Sequence, residues 1–345
     1  SWRLEGVCPA GSTIVLTADA KPAESGWQHG QARLVDVEDA IAADNMRAFV
    51  VEVRPPARYV LITREEAERR PSSSYYLERA LAPELPREAT QTGQRVLRVP
   101  PSRMDRDLLG SADLLVIDRP GPLRAEAVNW LAALVVRGKP MIYVASEAAD
   151  ATNLALLVQA GGADLRVPVE FTPPSALQRR RGLSLASYRR DLPPFSVFGM
   201  NVVEAIEPLR FTRGLDSRRL DRGLQDDVLA VYEDGTAALV WTEWGAGSLA
   251  VLNADLADSN LVQSAAFVPL LGELTGNLPA RSLESHIRHC GEALTLWLPP
   301  EAGAAAGLEI NGPAGSGGDL GELLEEPAGA VWRWTRVGAP GVYEV

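Results

Sequence analysis

The chain is poor in the residues that carry most enzyme chemistry. In 345 residues it has two cysteines, Cys8 and Cys290, and three histidines, His29, His286 and His289. Neither cysteine belongs to a CxxC, which argues against a zinc site. His286 and His289 stand three apart beside Cys290 and would share a face on a helix. The surrounding text reads as strand, however, and no metal is expected. Two buried, unpaired thiols are the simplest reading of the cysteines. A single disulfide joining the two ends is the alternative if the compartment is oxidising. No GxGxxG or GxxxxGK[ST] follows a strand, so no dinucleotide, nucleotide or other cofactor is expected. Positive charge is also scarce: the net charge is −11. A nucleic-acid binder must neutralise phosphates with clustered Lys and Arg. The clusters here, Arg179–Arg181 and Arg218-Arg219, are short, flanked by acids or prolines, and read as solvated loop charges. No apolar run approaches the roughly 18 residues that would cross a bilayer.

What is present is ordinary for a globular protein: 46% hydrophobic and 23% charged residues, in a length that suits two or three domains. The most ordered stretch is Ser111–Glu147. Leu114–Asp118 is a short apolar run ending in an acid, the pattern of a buried strand. After Pro120-Gly121-Pro122, apolar residues recur at Leu123, Ala127, Trp130, Leu131, Leu134 and Val135, one helical face. Pro122 suits a first helical turn and Gly138 a helix stop. Met141–Ala145 is a second buried run. Strand, helix and strand in this space make a βαβ unit and a parallel sheet. Tyr59–Thr63, a helix over Ser72–Leu81, Arg95–Val99, a short helix over Ser102–Leu109 and a helix over Asp150–Gln159 extend the rhythm. The expectation is an α/β domain over 55–280, an open, doubly wound, flavodoxin-like sheet. Residues 163–225 lose the rhythm and read as an irregular insertion. Order returns at Val228–Tyr232, the Asp234-Gly235 hairpin, Ala237–Trp241, Ser248–Asn253 and a helix over Gln263–Leu274.

Both ends read as β. Thr13–Ala18, Gln31–Val37 and Met46–Val53 suggest a sandwich-like domain over 1–54. Glu292–Leu298, Ala330–Thr335 and Gly341–Val345 suggest another over 281–345, with Gly303–Gly318 a loop. The terminal residues Ser1-Trp2 and Tyr343-Glu344-Val345 are strand-like, which fits a piece of a longer chain.

The run ADLLVIDRPG…AVNWLAALVVRGKPMIYVAS resembles the core of class I glutamine amidotransferase-like domains. A wider set of segments resembles the extracytoplasmic tail of Bat-type (aerotolerance) bacterial membrane proteins: Asp39–Val53, Arg54–Ile62, Ser74–Pro83, Val228–Asn253, Ala266–Leu274 and the closing Pro340-Gly341-Val342-Tyr343. In such proteins a von Willebrand factor A domain and membrane helices would lie before Ser1, and a last membrane helix after Val345. The resemblance implies a periplasmic or extracytoplasmic setting. Its implied partners are other envelope proteins, with von Willebrand factor A domains, and a MoxR-type ATPase.

In an open α/β sheet, ligands sit beyond the carboxyl ends of the strands. The candidates there are Thr63, Asp118, Ser146, Glu147 and Asp255. A working amidotransferase of the resembled class carries a cysteine on a tight strand-to-helix turn. Ser146 takes that place here, without a flanking glycine and with Glu147 beside it to repel an oxyanion. All three histidines fall in the β-rich ends. A serine without a base is a poor nucleophile, so the expected role is a non-catalytic interaction module. A hydrolase using Ser146 and Glu147 is the alternative, and a sugar- or peptide-binding crevice at Asp118 a third. Asp118 and Glu147 read either as a carboxylate pair or as a turn cap and a solvent-facing acid. Asn253, Asp255, Asp258 and Asn260 resemble an oxygen-rich cation site but lack the Gly and distant Glu of an EF-hand, so capping of the last helix is the simpler reading. Trp241, Trp244, Trp332 and Trp334 are expected in cores unless exposed as a partner surface.

Overall fold

In the computed structural model, the residues described are 3–18, 24–35, 44–53, 55, 57–82, 95–162, 165–174, 182–212, 214–220, 227–278, 290–298, 312, 322–326, 329–334 and 341–343. The chain divides into two compact units, Ser1–Pro55 with Glu284–Val345, and Pro56–Leu283.

The first unit opens with an antiparallel pair, β1 (Gly26–Arg33) and β2 (Met46–Val53). The strand expected over Thr13–Ala18 does not form; residues 12–18 are exposed and unpaired in any ladder. The pairing of β1 starts earlier than the apolar text suggests, because its register is set opposite β2. Gly30 faces Phe49 there, and a Cβ on Gly30 would stand 2.5 Å from the Phe49 ring. The missing side chain gives the ring its place.

The second unit has a regular order. Its elements are β3 (Tyr59–Ile62), α1 (Ser73–Leu81), β4 (Val96–Val99), α2 (Arg106–Gly110), β5 (Leu114–Asp118), α3 (Ala125–Val136), β6 (Met141–Val144) and α4 (Ala148–Gly161). There follow β7 (Val169–Thr172), β8 (Leu185–Tyr188), α5 (Val202–Ile206), β9 (Asp216–Arg219), β10 (Val228–Tyr232), β11 (Ala237–Trp244), β12 (Gly247–Leu252) and α6 (Phe267–Asn277). The main sheet has eight strands in the order β4-β3-β5-β6-β12-β11-β10-β8. From β4 to β12 the neighbours are parallel; β11, β10 and β8 extend the sheet antiparallel. The architecture is therefore mixed α/β around a large, mostly parallel sheet.

Alternation of side chains across the strands explains the layers. Leu61, Leu114, Val116, Ile142 and Val144 pack on one side with Leu77 of α1 and Leu270, Leu271 and Leu274 of α6. Val60, Ile62, Leu115, Ile117, Met141 and Tyr143 pack on the other with Leu131 and Val135 of α3 and Leu154 and Leu157 of α4. A sheet covered on both faces needs strands apolar throughout, and all five residues of β5 are buried. Each such Leu or Ile contributes roughly 1.5–3 kcal/mol relative to exposure.

Several local expectations are corrected. Residues 163–225 are not irregular throughout: β8 is an edge strand of the main sheet, β7 and β9 form a two-stranded antiparallel ribbon, and α5 lies between them in sequence. Pro122 precedes α3 rather than opening it, since the N-cap is Arg124. The helix over Gln263–Leu274 starts later, at Phe267, after a short 3-10 turn. Gly138 does end α3, with φ +104 and its amide on the Val135 carbonyl.

The first unit is completed by β13 (Leu294–Leu298), β14 (Glu322–Glu326) and β15 (Gly329–Trp334), an antiparallel sheet in the order β13-β15-β14. Trp332 and Trp334 are buried. Gly341–Tyr343 is not a strand; the Tyr343 ring meets Trp334 edge-on at 5.3 Å. The described residues of this unit form a two-stranded and a three-stranded sheet. Apart from residue 312, the loop over 303–318 lies outside the described residues, as does the pair His286 and His289.

Candidate site at the carboxyl edge of the sheet

The carboxyl ends of β3, β5, β6 and β12 each run into a polar loop. After β3 come Thr63, Arg64 and Glu65. Strand β5 ends on Asp118 and turns through Arg119. After β6 come Ser146 and Glu147, and after β12 comes Asp255. Arg119 has φ +48, the sole non-glycine at positive φ among the described residues. Its side chain is only 14% exposed. It reaches three loops: Nη2 stands 2.5 Å from Asp255 Oδ2, Nε 3.7 Å from Glu65 Oε1, and Nη1 3.8 Å from Glu147 Oε1. Burial disfavours its charge, but Asp255, Glu65 and Asp118 act the other way and hold the guanidinium above its ordinary pKa. Above it, Arg64 Nη2 donates to both oxygens of Glu147 at 2.6 and 2.7 Å. That pair straps the loop after β3 to the loop after β6.

Asp118 is fully buried. Its Oδ1 accepts from the Ser73 hydroxyl at 2.8 Å, while Oδ2 has no hydrogen-bond partner. Burial raises its pKa to about 8; the Ser73 hydrogen bond and Arg119 oppose the rise, and Glu65 and Asp255 add to it. Asp118 is therefore mostly protonated at neutral pH. It is neither a turn cap nor one half of an ionised pair. Glu147 does not face solvent freely either, being bound by Arg64 and near Arg119. Glu65 is buried and caps α1, accepting from the Ser74 amide at 3.1 Å and the Ser74 hydroxyl at 2.8 Å. Arg98 bonds the Glu65 carbonyl, the Ser74 hydroxyl and Glu78. Thr63 is a local turn residue whose hydroxyl accepts from the Glu65 amide.

The turn after β6, where the sequence resemblance would put a nucleophile, is held by Asp150. Asp150 Oδ2 accepts from the backbone amides of Ser146 (2.9 Å) and Glu147 (2.8 Å), and Oδ1 from the Tyr143 hydroxyl. Glu147 and Asp150 form a reciprocal cap at the start of α4. Burial pushes the Asp150 carboxyl up, against the pull of those two amides and Tyr143. Burial and Asp150 likewise push Tyr143 up. The Ser146 hydroxyl is buried and has no hydrogen-bond partner. Among the described residues no base is hydrogen-bonded to it, and the segment Pro56–Leu283 contains no histidine and no cysteine. His29 is on β1 of the other unit.

The oxygen-rich group after β12 does not converge. Asn253 ties Leu215 and Ala237 to the strand end, Asp255 meets Arg119, and Asn260 clamps Arg210 and Pro208. None caps α6, whose N-cap is Ala266 with no side-chain bond. These residues instead pin the 208–215 segment to the sheet. Among the described residues no group of three or more His, Cys, Asp or Glu is arranged to hold a metal ion. The cysteines are free and exposed rather than buried. Trp241 and Trp244 are core residues. A hollow of about 300 Å³, lined by Asn129, Ala132, Ala133, Val136, Arg137 and Ala160, lies at the C-terminal ends of α3 and α4 and thus toward the opposite edge of the sheet.

The structure thus brings together Asp118, Glu147 and Asp255 around Arg119, and gives Thr63 and Ser146 no part in that network. Sequence reasoning missed Arg64, Glu65, Ser73, Arg98, Arg119 and Asp150. The available signal was charge at the ends of buried runs, in Thr63-Arg64-Glu65 and Asp118-Arg119.

No family model matches the chain, and no curated protein matches it by sequence. Among solved structures it is similar to a cytoplasmic protein of Salmonella typhimurium, at 11% identity and TM-score 0.41 over 74% of this chain and 96% of that one. It is similar to a ThuA-like protein of Parabacteroides merdae, at 12% identity and TM-score 0.39 over 68% and 93%. It is also similar to a β-galactosidase of Bacillus circulans, at 9% and 0.37 over 81% and 41%.

Proposed function

We propose that this chain is a non-catalytic interaction module in which a class I glutamine amidotransferase-like frame has lost its chemistry. The observation that carries the reading is the turn after β6. Ser146 occupies the nucleophile's place as a buried hydroxyl without a partner, and Asp150 uses the neighbouring amides to cap α4. Those amides would otherwise be available to an oxyanion. In this chain Arg119 occupies the crevice beyond the strands, which counts against a sugar or a peptide backbone lying at Asp118. By its sequence resemblance the module is the extracytoplasmic part of a membrane-anchored envelope protein, with its terminal sheets belonging to β-sandwiches. Its partners in that reading are proteins with von Willebrand factor A domains and a MoxR-type ATPase. No helix among the described residues is long and apolar enough to cross a membrane.

Two measurements test the proposal. Purified chain is treated with a fluorophosphonate probe and with L-glutamine. We expect no adduct on Ser146 and no ammonia above the Ser146→Ala background; a Ser146 adduct lost in that variant would make the protein a hydrolase. Crosslinking of the full-length protein in native membranes, followed by pull-down, should recover the named partner classes. Recovery of solubilised background alone would count against the scaffold role.

A further inference from the structure

Resting on the reading of this unit as a binding module, we propose that the carboxyl edge of the sheet is a receptor for a guanidinium group, filled in this chain by Arg119 as an internal substitute. Carboxylates from three separate loops, Glu65, Glu147 and Asp255, close on that one guanidinium within 2.5–3.8 Å. The same edge already takes a second guanidinium from the solvent side. Arg64, with its side chain 54% exposed, lies against both oxygens of Glu147. A fork of N–H donors matched to carboxylate oxygens is what distinguishes a guanidinium from an ammonium point charge.

The internal substitute fits incompletely. Asp118 is wholly buried among Glu65, Arg119 and Asp255, and its Oδ2 has no hydrogen-bond partner. Arg119 Nε, a donor beside it in sequence, has none either. A buried N–H and a buried carboxyl oxygen left without partners are costly. Arg119 follows Asp118 directly and is tethered through a left-handed backbone, with its Nη2 committed to Asp255. A guanidinium arriving on a free stem is not bound by that tether and can meet Asp118 Oδ2 as well, the carboxyl releasing its proton to solvent as the cation binds. The ligand class is thus a guanidinium, carried either by a small molecule or by an arginine side chain of a protein.

The test uses the full chain with Arg119→Gly, which removes the occupant and suits the positive φ. It is titrated with methylguanidinium, with L-arginine and with a blocked Gly-Arg-Gly peptide, against methylammonium and NaCl of equal ionic strength. Thermal midpoint and heat of binding are read. We expect a saturable rise in midpoint with guanidinium compounds alone, and affinity at least about tenfold above that of the unsubstituted chain. Binding of free arginine assigns the site to small molecules, and binding of the peptide alone assigns it to a protein side chain. A folded variant that responds to guanidinium no more than to NaCl overturns the proposal. If Arg119→Gly is unfolded, recovery of its fold in millimolar methylguanidinium supports the proposal. Should it not recover, Arg119→Gln is titrated in its place: saturable binding supports the proposal, and a flat response overturns it. A flat titration leaves the non-catalytic reading standing, whereas a Ser146 adduct removes that reading whatever the titration shows.

Discussion

Asp118 stands far from its ordinary state, and the departure has a sign. Its pKa rises from 3.8 to about 8 on folding because burial penalises the charged form. Between those values the folded chain holds a proton that the unfolded chain has released, so its contribution to stability is fully present below about pH 4 and is lost as pH rises toward 8. The full span is on the order of 5 kcal/mol. Asp118→Asn keeps an oxygen for the Ser73 hydroxyl and removes the titration. We expect the variant's urea midpoint to exceed that of the parent at pH 8 and the gap to shrink toward pH 4; a gap of constant size would show that Asp118 does not titrate on unfolding. Asp150 works differently, since its oxygens serve two amides and the Tyr143 hydroxyl. Asp150→Ala should cost about 2–3 kcal/mol by equilibrium unfolding. Asn at the same position keeps one acceptor and should recover part of the loss. The role of Asp150 was missed although its partners Tyr143, Ser146 and Glu147 are close in sequence; that of Asp118 was not legible. An acid at the end of a buried run says where it stands, not which loop will face it, and the partners Ser73 and Asp255 come from distant positions.

Among the elements, β3, β5 and β6 were legible because each buries both faces, so a short unbroken apolar run between breakers leaves little choice. Helix α1 was legible for a different reason: Ser72 accepts from the Tyr75 amide as an N-cap ahead of an amphipathic turn. The 163–225 stretch was obscured because β8 is an edge strand with no fully buried residue, and an edge has no continuous apolar signature. Two glycines separate local propensity from packing. Gly272 lies inside α6 with open space where a Cβ would be. Gly272→Ala should stabilise by about 0.5–1 kcal/mol, since glycine wastes backbone entropy in a helix. Gly247 opens β12 against the end of α3, and a Cβ there would lie 2.3 Å from the Val135 carbonyl oxygen and 2.8 Å from that of Lys139. Both obstacles are backbone, so they cannot swing aside. Gly247→Ala should destabilise by about 1–3 kcal/mol. Chemical denaturation of both variants checks the opposite signs; a Gly247→Ala variant as stable as the parent would mean the α3–β12 contact is looser than described, and a destabilised Gly272→Ala would mean the space beside α6 is not open.

At the scale of the molecule, the parallel sheet and its two layers were predicted from βαβ rhythm, while the β-rich ends were not resolved beyond their strand character. The physical reason is visible in β1 and β2. Their residues are exposed or half-exposed on both faces, Trp27, Phe49 and Val51 included, so no buried side imposes alternation on the text. A two-stranded ribbon of that kind is marginal by itself. The second unit has what the ribbon lacks: both apolar layers are composed of its own residues, from Val60 to Leu278. Its stability should therefore be intrinsic. We expect Pro56–Leu283, expressed alone, to unfold in one cooperative transition, with a thermal midpoint within about 3 °C of the main transition of the full chain, a difference near 1 kcal/mol for a unit this size. Calorimetry of the two proteins makes the comparison. A fragment that binds a hydrophobic dye and melts without cooperativity would mean that the terminal sheets are part of its fold. The strap of Arg64 on Glu147 and the Arg119 network would then have to be tested only in the complete chain, because their loops would no longer be held by a core of their own.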